Sequence, residues 1–149
     1  MNIVILLLVV AFIATSAMTI FSYVISASFK ELYKEPLLLK YIMVKINVSV
    51  SDNLKEVLAW IIHYAIGFLF VLSYYFLWKL GIIHLTVLNG LYIGAISGII
   101  AIISWIIMFR LSGFNRKATD KGYYTQLFIA HIIFGIAAIL VLSFLISEI

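Results

Sequence analysis

Two histidines are the side chains best suited to chemistry in this chain of 149 residues, because each lies within a long apolar segment. His63 and His131 are each followed four residues later by a glycine, Gly67 and Gly135, which a helix places on the same face. An ionisable residue within a bilayer is a candidate for function. Imidazole can exchange a proton near neutral pH, hold a polar ligand or ligate haem iron. His63 and His131 are therefore the candidate ligand-binding or haem-binding residues.

The elements that position these histidines follow from composition. The chain is 66% hydrophobic and 11% charged, which is too apolar for a water-soluble domain. Its apolar residues form four segments, at about 3–28, 57–80, 87–109 and 124–146, each long enough to cross a bilayer as a helix. We therefore predict an all-α integral membrane four-helix bundle. It forms a single transmembrane domain over residues 1–149, with the first segment retained as a span.

The basic residues predict the orientation. Nine of the ten fall in the two segments that connect spans one to two and three to four, so the positive-inside rule makes both segments cytoplasmic and both termini external. His63 and His131 then lie at similar depths, about 10 Å from the cytoplasmic interface. The nine residues are Lys30, Lys34, Lys40, Lys45, Lys55, Arg110, Arg116, Lys117 and Lys121, whereas Lys79 lies on the opposite side.

The first cytoplasmic loop, residues 29–56, contains a short apolar segment at 36–46 in addition to the four spans. Pro36 suits the first turn of a helix, and the segment is too short to span the bilayer. We predict an interfacial helix that anchors the loop to the lipid surface. The alternative is a docking site for a partner subunit.

Capping residues and aromatic residues mark the ends of the spans. Asn53 with Glu56 resembles a capping box before span two, and Thr119 and Asp120 are candidate caps of span four. Interfacial aromatic belts are expected at Trp60, Trp105, Tyr123 and Tyr124 on the inner side and at Trp78 on the outer side.

Small residues predict where helices pack. Gly90, Gly94 and Gly98 repeat every four residues along span three, which lets another helix approach closely, within the chain or in a second copy. Gly67 and Gly135 complete the set of predicted packing glycines. A weaker stripe of small residues in span one includes Thr15, so we expect spans one and three to pack centrally. Thr15 and Ser97 are the predicted polar partners of the two histidines, and a purely structural role for both rings remains the alternative.

The sequence contains few residues or motifs that are typical of catalytic sites. It has no cysteine, no acidic residue inside a predicted span and no phosphate-loop, metal-binding or nucleophile motif. We predict no catalytic residue and no metal site. The net charge of +4 is explained by the cytoplasmic segments, so nucleic acid is not an expected partner.

Several short motifs resemble a known family. They are HYAIGFLFVLSY from His63 to Tyr74, Lys79, GLYIGAISG from Gly90 to Gly98, and Ala130-His131 with its following glycine. Over residues 63 to about 140 the chain resembles the YagU-like bacterial inner-membrane proteins. The resemblance implies a four-helix plan and a bacterial inner (cytoplasmic) membrane location, but no established reaction. The segment at 36–46 departs from that family.

We therefore expect a non-enzymatic membrane protein, either a subunit of a larger assembly or a small-ligand-binding protein. Its partners would be the lipid bilayer and either a second copy or a membrane partner subunit. One alternative is a b-type cytochrome in which His63 and His131 are the axial ligands of haem. Another is a small oligomeric transporter or channel, with the glycines of span three as the contact between copies.

An absorption spectrum tests the cytochrome alternative. The leading hypothesis predicts no visible band from protein purified in mild detergent after expression with ample haem. A Soret band that shifts on dithionite reduction, and that is lost on replacing either His63 or His131, is instead the result expected of a cytochrome.

Overall fold

The computed structural model describes residues 2–30, 34–114 and 120–147, and these residues contain five helices. Four of the helices are long and apolar enough to cross a membrane, which confirms the all-α fold with four candidate spans. The remaining short helix is the one predicted near residues 36–46. The helices are α1 (Ile3–Phe29), α2 (Glu35–Lys45), α3 (Asp52–Lys79), α4 (Val87–Ser112) and α5 (Lys121–Ser147).

α3 begins earlier than the sequence predicted. Its N-cap is Ser51, whose Oγ accepts a hydrogen bond from the Leu54 amide at 3.3 Å. The predicted capping box at Asn53 and Glu56 is therefore wrong. Glu56 instead forms an ion pair of 2.8 Å with Lys40, which ties α3 to α2.

The start of α5 agrees with the prediction as far as it is described. The Asp120 carboxylate accepts a hydrogen bond from the Tyr123 amide at 3.0 Å, as a helix N-cap does. The other candidate cap, Thr119, lies outside the described residues, as do the basic residues Arg116 and Lys117.

The four long helices pack in the order α4, α5, α1, α3. α5 packs along α4 on one side and along α1 on the other, and α1 packs against α3. α3 and α4 make little direct contact, and α2 packs against both of them at one end, here called the α2 end. The expected central pair of spans one and three, α1 and α4, is wrong because α5 lies between them.

Glycines explain why α4 packs against α5. A Cβ atom added to Gly135 would lie 2.6 Å from the Gly94 Cα, and one added to Gly94 would lie 2.7 Å from the His131 carbonyl oxygen. Gly90 and Gly98 also face the backbone of α5. The two backbones touch where side chains would keep them apart, which is how helices associate in lipid. The glycines of span three thus form a contact within the chain.

The buried face of α2 packs into the bundle. Leu38, Leu39, Ile42 and Met43 are buried, in a cluster that includes Ala59 of α3 together with the aromatic side chains of α4 and α5. The predicted helix is therefore present, with one face against protein, whereas its position at a membrane surface stays a prediction.

The same cluster corrects the expected aromatic belt. Trp105 is 6% exposed and Tyr123 is fully buried, so neither side chain faces the outer surface of the bundle. The Trp105 ring packs against Phe109 and Tyr123, with centroid distances of 5.1 and 6.1 Å. These aromatic residues belong to the core.

We expect Gly94→Ala to lower the free energy of unfolding by about 1–3 kcal/mol, the usual cost of overpacking. The added methyl would meet backbone atoms of α5, which cannot rotate away. Thermal unfolding in detergent, followed by circular dichroism, measures the effect. Ile99→Ala is the matched control, because Ile99 is 53% exposed on the same helix. Equal losses in both variants would contradict the close α4–α5 contact.

Candidate ligand-binding site

A cavity of about 270 Å³ lies between α3 and α4. α1 and α5 form its base, and α2 closes it at the α2 end. Its wall is mainly apolar, with Phe70, Trp105 and Phe134 as its aromatic members. The polar side chains of the lining are Thr15, Glu35, His63, Ser104 and His131. Both predicted histidines therefore line one cavity.

The cavity opens on the outer surface of the bundle. Because α3 and α4 make little contact, no helix–helix seam closes the gap between them. Two lining residues from these helices, Ile66 and Ser104, are exposed on that surface. The mouth therefore lies between α3 and α4, partway along both helices.

His63 is held by a hydroxyl of α1. Its Nε2 lies 2.8 Å from the Thr19 Oγ1, and that hydroxyl donates to the Thr15 carbonyl oxygen at 2.7 Å. A hydroxyl has one hydrogen to donate, so the Nε2–H of His63 is the donor to Thr19. In the neutral ring, Nδ1 is then the nitrogen that can accept a hydrogen bond.

His131 is held by its own helix. Its Nδ1 lies 2.8 Å from the Leu127 carbonyl oxygen, which can only accept, so Nδ1 carries the proton. Nε2 is then the accepting nitrogen of the neutral ring. The edge of Phe70 packs against the imidazole, with a centroid distance of 6.0 Å. Both histidines thus keep one nitrogen as a hydrogen-bond acceptor.

The predicted polar partners lie elsewhere. Thr15 lines the cavity beside His63, but His63 bonds Thr19 instead, and the Thr15 Oγ1 is buried with no hydrogen-bond partner. Ser97 bonds the Tyr74 hydroxyl at 2.5 Å and does not line the cavity. Ser97 therefore joins α4 to α3 and has no role at the histidines.

Glu35 is the titratable residue of the cavity lining that the sequence analysis did not identify as a candidate. Its side chain is buried, and its Oε1 accepts hydrogen bonds from the Ser22 Oγ at 2.9 Å and the Gln126 Nε2 at 3.4 Å. The Gln126 Nε2 also donates to the Ser22 Oγ at 2.6 Å. This network joins α1, α2 and α5. The second carboxyl oxygen, Oε2, is buried with no hydrogen-bond partner.

Burial raises the pKa of Glu35 to about 7, since the charged form loses its hydration. A hydrogen bond from its own backbone amide, and those from Ser22 and Gln126, lower the pKa, but their effect is smaller. No basic side chain offsets the charge, because the two ion pairs among the described residues are Lys40–Glu56 and Lys55–Asp52. Glu35 therefore changes its protonation state near neutral pH.

Glu35 escaped the sequence analysis because it lies in none of the four candidate spans. It is the first residue of α2, and the inward packing of α2 carries its carboxyl into the bundle. The available signals were Gln126 and Ser22, an amide and a hydroxyl inside apolar segments. Buried polar groups of that kind need partners, but the sequence does not say which.

The glycines that follow the histidines serve helix packing. A Cβ atom at Gly67 would meet the Thr15 side chain, and one at Gly135 would meet the α4 backbone. Within the described residues, no group of three or more His, Cys, Asp or Glu is placed to hold a metal ion. The titratable side chains that line the cavity are Glu35, His63 and His131.

The raised pKa of Glu35 predicts how stability depends on pH. The folded protein binds this proton more tightly than the unfolded chain does, so the contribution is complete below about pH 4.5 and is lost as pH rises to about 7. We expect a loss on the order of 3 kcal/mol, seen as a lower Tm in detergent at pH above 7.

Two variants isolate this effect. Glu35→Gln should remove this part of the pH dependence, whereas Glu56→Gln should keep it, because Glu56 is an exposed partner of Lys40. A Tm difference between the parent and Glu35→Gln that is the same on both sides of this pH window would contradict the burial argument.

Comparison with known proteins does not identify the chain: no family model, curated protein or solved structure matches it. The resemblance to the YagU-like proteins therefore stays a prediction. What the cavity does has to be inferred from its own geometry.

Proposed function

We propose that this chain is a multi-pass membrane protein that binds a small lipid-soluble molecule in the cavity between α3 and α4. The observation that carries the proposal is the cavity itself, which combines apolar walls, buried polar atoms without partners and a mouth on the outer surface of the bundle. The protein acts as a binding protein and not as an enzyme.

The outer surface supports placement in a bilayer. Large apolar side chains on all four long helices are exposed, including Phe12 at 63%, Leu69 at 60%, Ile96 at 58% and Phe144 at 63%. Continuous apolar surface of this extent is unfavourable in water and is covered by lipid in a membrane. The location that the sequence favours is the bacterial inner membrane.

The distribution of charge supports an orientation with the α2 end in the cytoplasm. The described basic residues of both segments lie at that end, and Lys79 is at the opposite end of α3. They are Lys30, Lys34, Lys40, Lys45, Lys55, Arg110 and Lys121. The N- and C-termini then face outward. In this orientation Glu35 enters the bundle from the cytoplasmic side.

The cavity has the composition of a binding site for a small molecule. Such sites are mostly apolar, with a few polar groups that orient the ligand. Here the Thr15 Oγ1 and the Glu35 Oε2 are buried without hydrogen-bond partners. An unsatisfied buried polar atom costs about 1–3 kcal/mol, which a ligand with a polar head can recover.

The position of the mouth supports entry from the lipid. Ile66 and Ser104 face the outer surface partway along α3 and α4, where a bilayer would surround the helices. A lipid-soluble ligand concentrates in the membrane and reaches this mouth without crossing water. The cytochrome alternative has less support, because helix packing accounts for Gly67 and Gly135 without a porphyrin.

Fluorescence of Trp105 tests the proposal. Trp60→Phe and Trp78→Phe leave Trp105, which lines the cavity, as the single tryptophan. With this protein in nanodiscs, 8-bromo-1-octanol should quench Trp105 in a saturable way, because a bound bromine stays close to the indole. Ser104→Phe, which narrows the mouth, should abolish the saturable component.

Ile103→Phe is the matched control, since the neighbouring Ile103 is 53% exposed and does not line the cavity. It should leave the quenching curve unchanged. Quenching that is linear in probe concentration and the same in both variants would mean that the bromine reaches Trp105 only by random collision. The proposal would then be abandoned.

A further inference from the structure

The structure assigns the ligand of this cavity to one chemical class, a hydrophobic organic cation that pairs with Glu35 and displaces its proton. This inference rests on the proposed function and adds the charge of the ligand to it. The exchange is balanced: the protonated carboxyl releases one proton as one monovalent cation binds, so the net charge of the site does not change.

The Glu35 carboxyl has no countercharge in the described lining of the cavity. Glu35 is 2% exposed, and its Oε2 has no hydrogen-bond partner. A buried carboxylate is strongly destabilising unless a positive charge lies beside it. Neither lysine nor arginine lines the cavity among the described residues. A cationic ligand supplies the charge that the protein does not.

The hydrogen-bonding groups of the cavity are mainly acceptors. Neutral His63 and neutral His131 each keep one accepting nitrogen, and an ionised Glu35 can only accept. The site is therefore rich in acceptors and suits a ligand that is positive or donates hydrogen bonds. An anion such as a lipid phosphate would meet no lysine or arginine in the cavity among the described residues.

The apolar lining also suits an organic cation. Phe70, Trp105 and Phe134 contribute aromatic rings to the wall, and Met18 and Met108 contribute polarizable thioethers. Aromatic faces attract organic cations, most strongly where water is excluded. Thioether side chains adapt to ligands of different shape. A compact cation with an apolar body matches this wall.

Other titratable groups near Glu35 would also affect the affinity for a cation. His63 of α3 and His131 of α5 line the same cavity, and α4 adds no titratable side chain to the lining. On α1, Tyr23 lies near Glu35, and Lys34 at the start of α2 stacks over the Tyr23 ring at 4.8 Å. Tyr123 of α5 packs against Trp105. Protonated histidines would repel a cation, so the test has to separate them from Glu35.

The test uses benzyltrimethylammonium, whose charge does not change with pH. Equilibrium binding of the radiolabelled probe to the full chain in nanodiscs is measured at about pH 5.5 and about pH 8.5. We expect affinity to be about tenfold or more higher at the upper pH, because the proton on Glu35 no longer competes. In weakly buffered solution near neutral pH, binding should also release protons.

Glu35→Gln keeps the size of the side chain and an oxygen to accept from Ser22, and it should remove the proton release and the gain in affinity with pH. Glu56→Gln, at an exposed carboxylate, should behave as the parent does. Proton release by the unaltered protein keeps the inference testable if Glu35→Gln does not fold. The neutral isostere neopentylbenzene, in which carbon replaces nitrogen, should release no proton.

The outcomes separate this inference from the proposed function. Saturable quenching by 8-bromo-1-octanol, with no binding of benzyltrimethylammonium at either pH, would overturn the cation inference and leave the binding function standing. Failure of both probes would overturn both. Cation binding whose pH dependence persists in Glu35→Gln would place the effect at the histidines and would also overturn the inference.

Discussion

The close contact between α4 and α5 determines the rest of the arrangement. Gly94 and Gly135 let the two backbones touch, α5 is the shared neighbour of α4 and α1, and α3 packs on α1. Four helices in this order leave α3 and α4 facing each other across a gap. The cavity is that gap, so it follows from the pairing of the helices and not from any single residue.

α2 adds a carboxyl group, that of Glu35, to the lining of this gap. Its apolar face, which includes Leu38 and Ile42, is buried in the bundle and brings Glu35 against Ser22 and Gln126. One carboxyl oxygen is thereby fixed, while the other is left without a partner. Side chains from α1, α2 and α5 meet at this carboxyl, so its position depends on how all three helices pack. The position of an exposed glutamate would not depend on helix packing in this way.

The sequence predicted the helices well, because length and hydropathy are properties of each segment alone. It also placed His63 and His131 at similar depths, and both line the same cavity. It did not predict which helix faces meet, since small residues on α1 and on α4 each offered a packing surface and only the complete set of contacts decides between them. It missed Glu35 for a related reason: a short apolar helix outside the spans can lie on a membrane or pack inward, and its composition is the same in both cases.

In the proposed placement within a bilayer, the open side of the cavity would make lipid part of the proposed binding site. Between α3 and α4 the wall is completed by whatever lies against Ile66 and Ser104, which in a bilayer is an acyl chain. Chain length, unsaturation and sterol content would then alter the shape of the site without any change in the protein. In detergent, the acyl chain would be replaced by a detergent molecule, and the shape of this part of the wall would change. For the proposed binding function, ligand affinity would then depend on the membrane as well as on the chain.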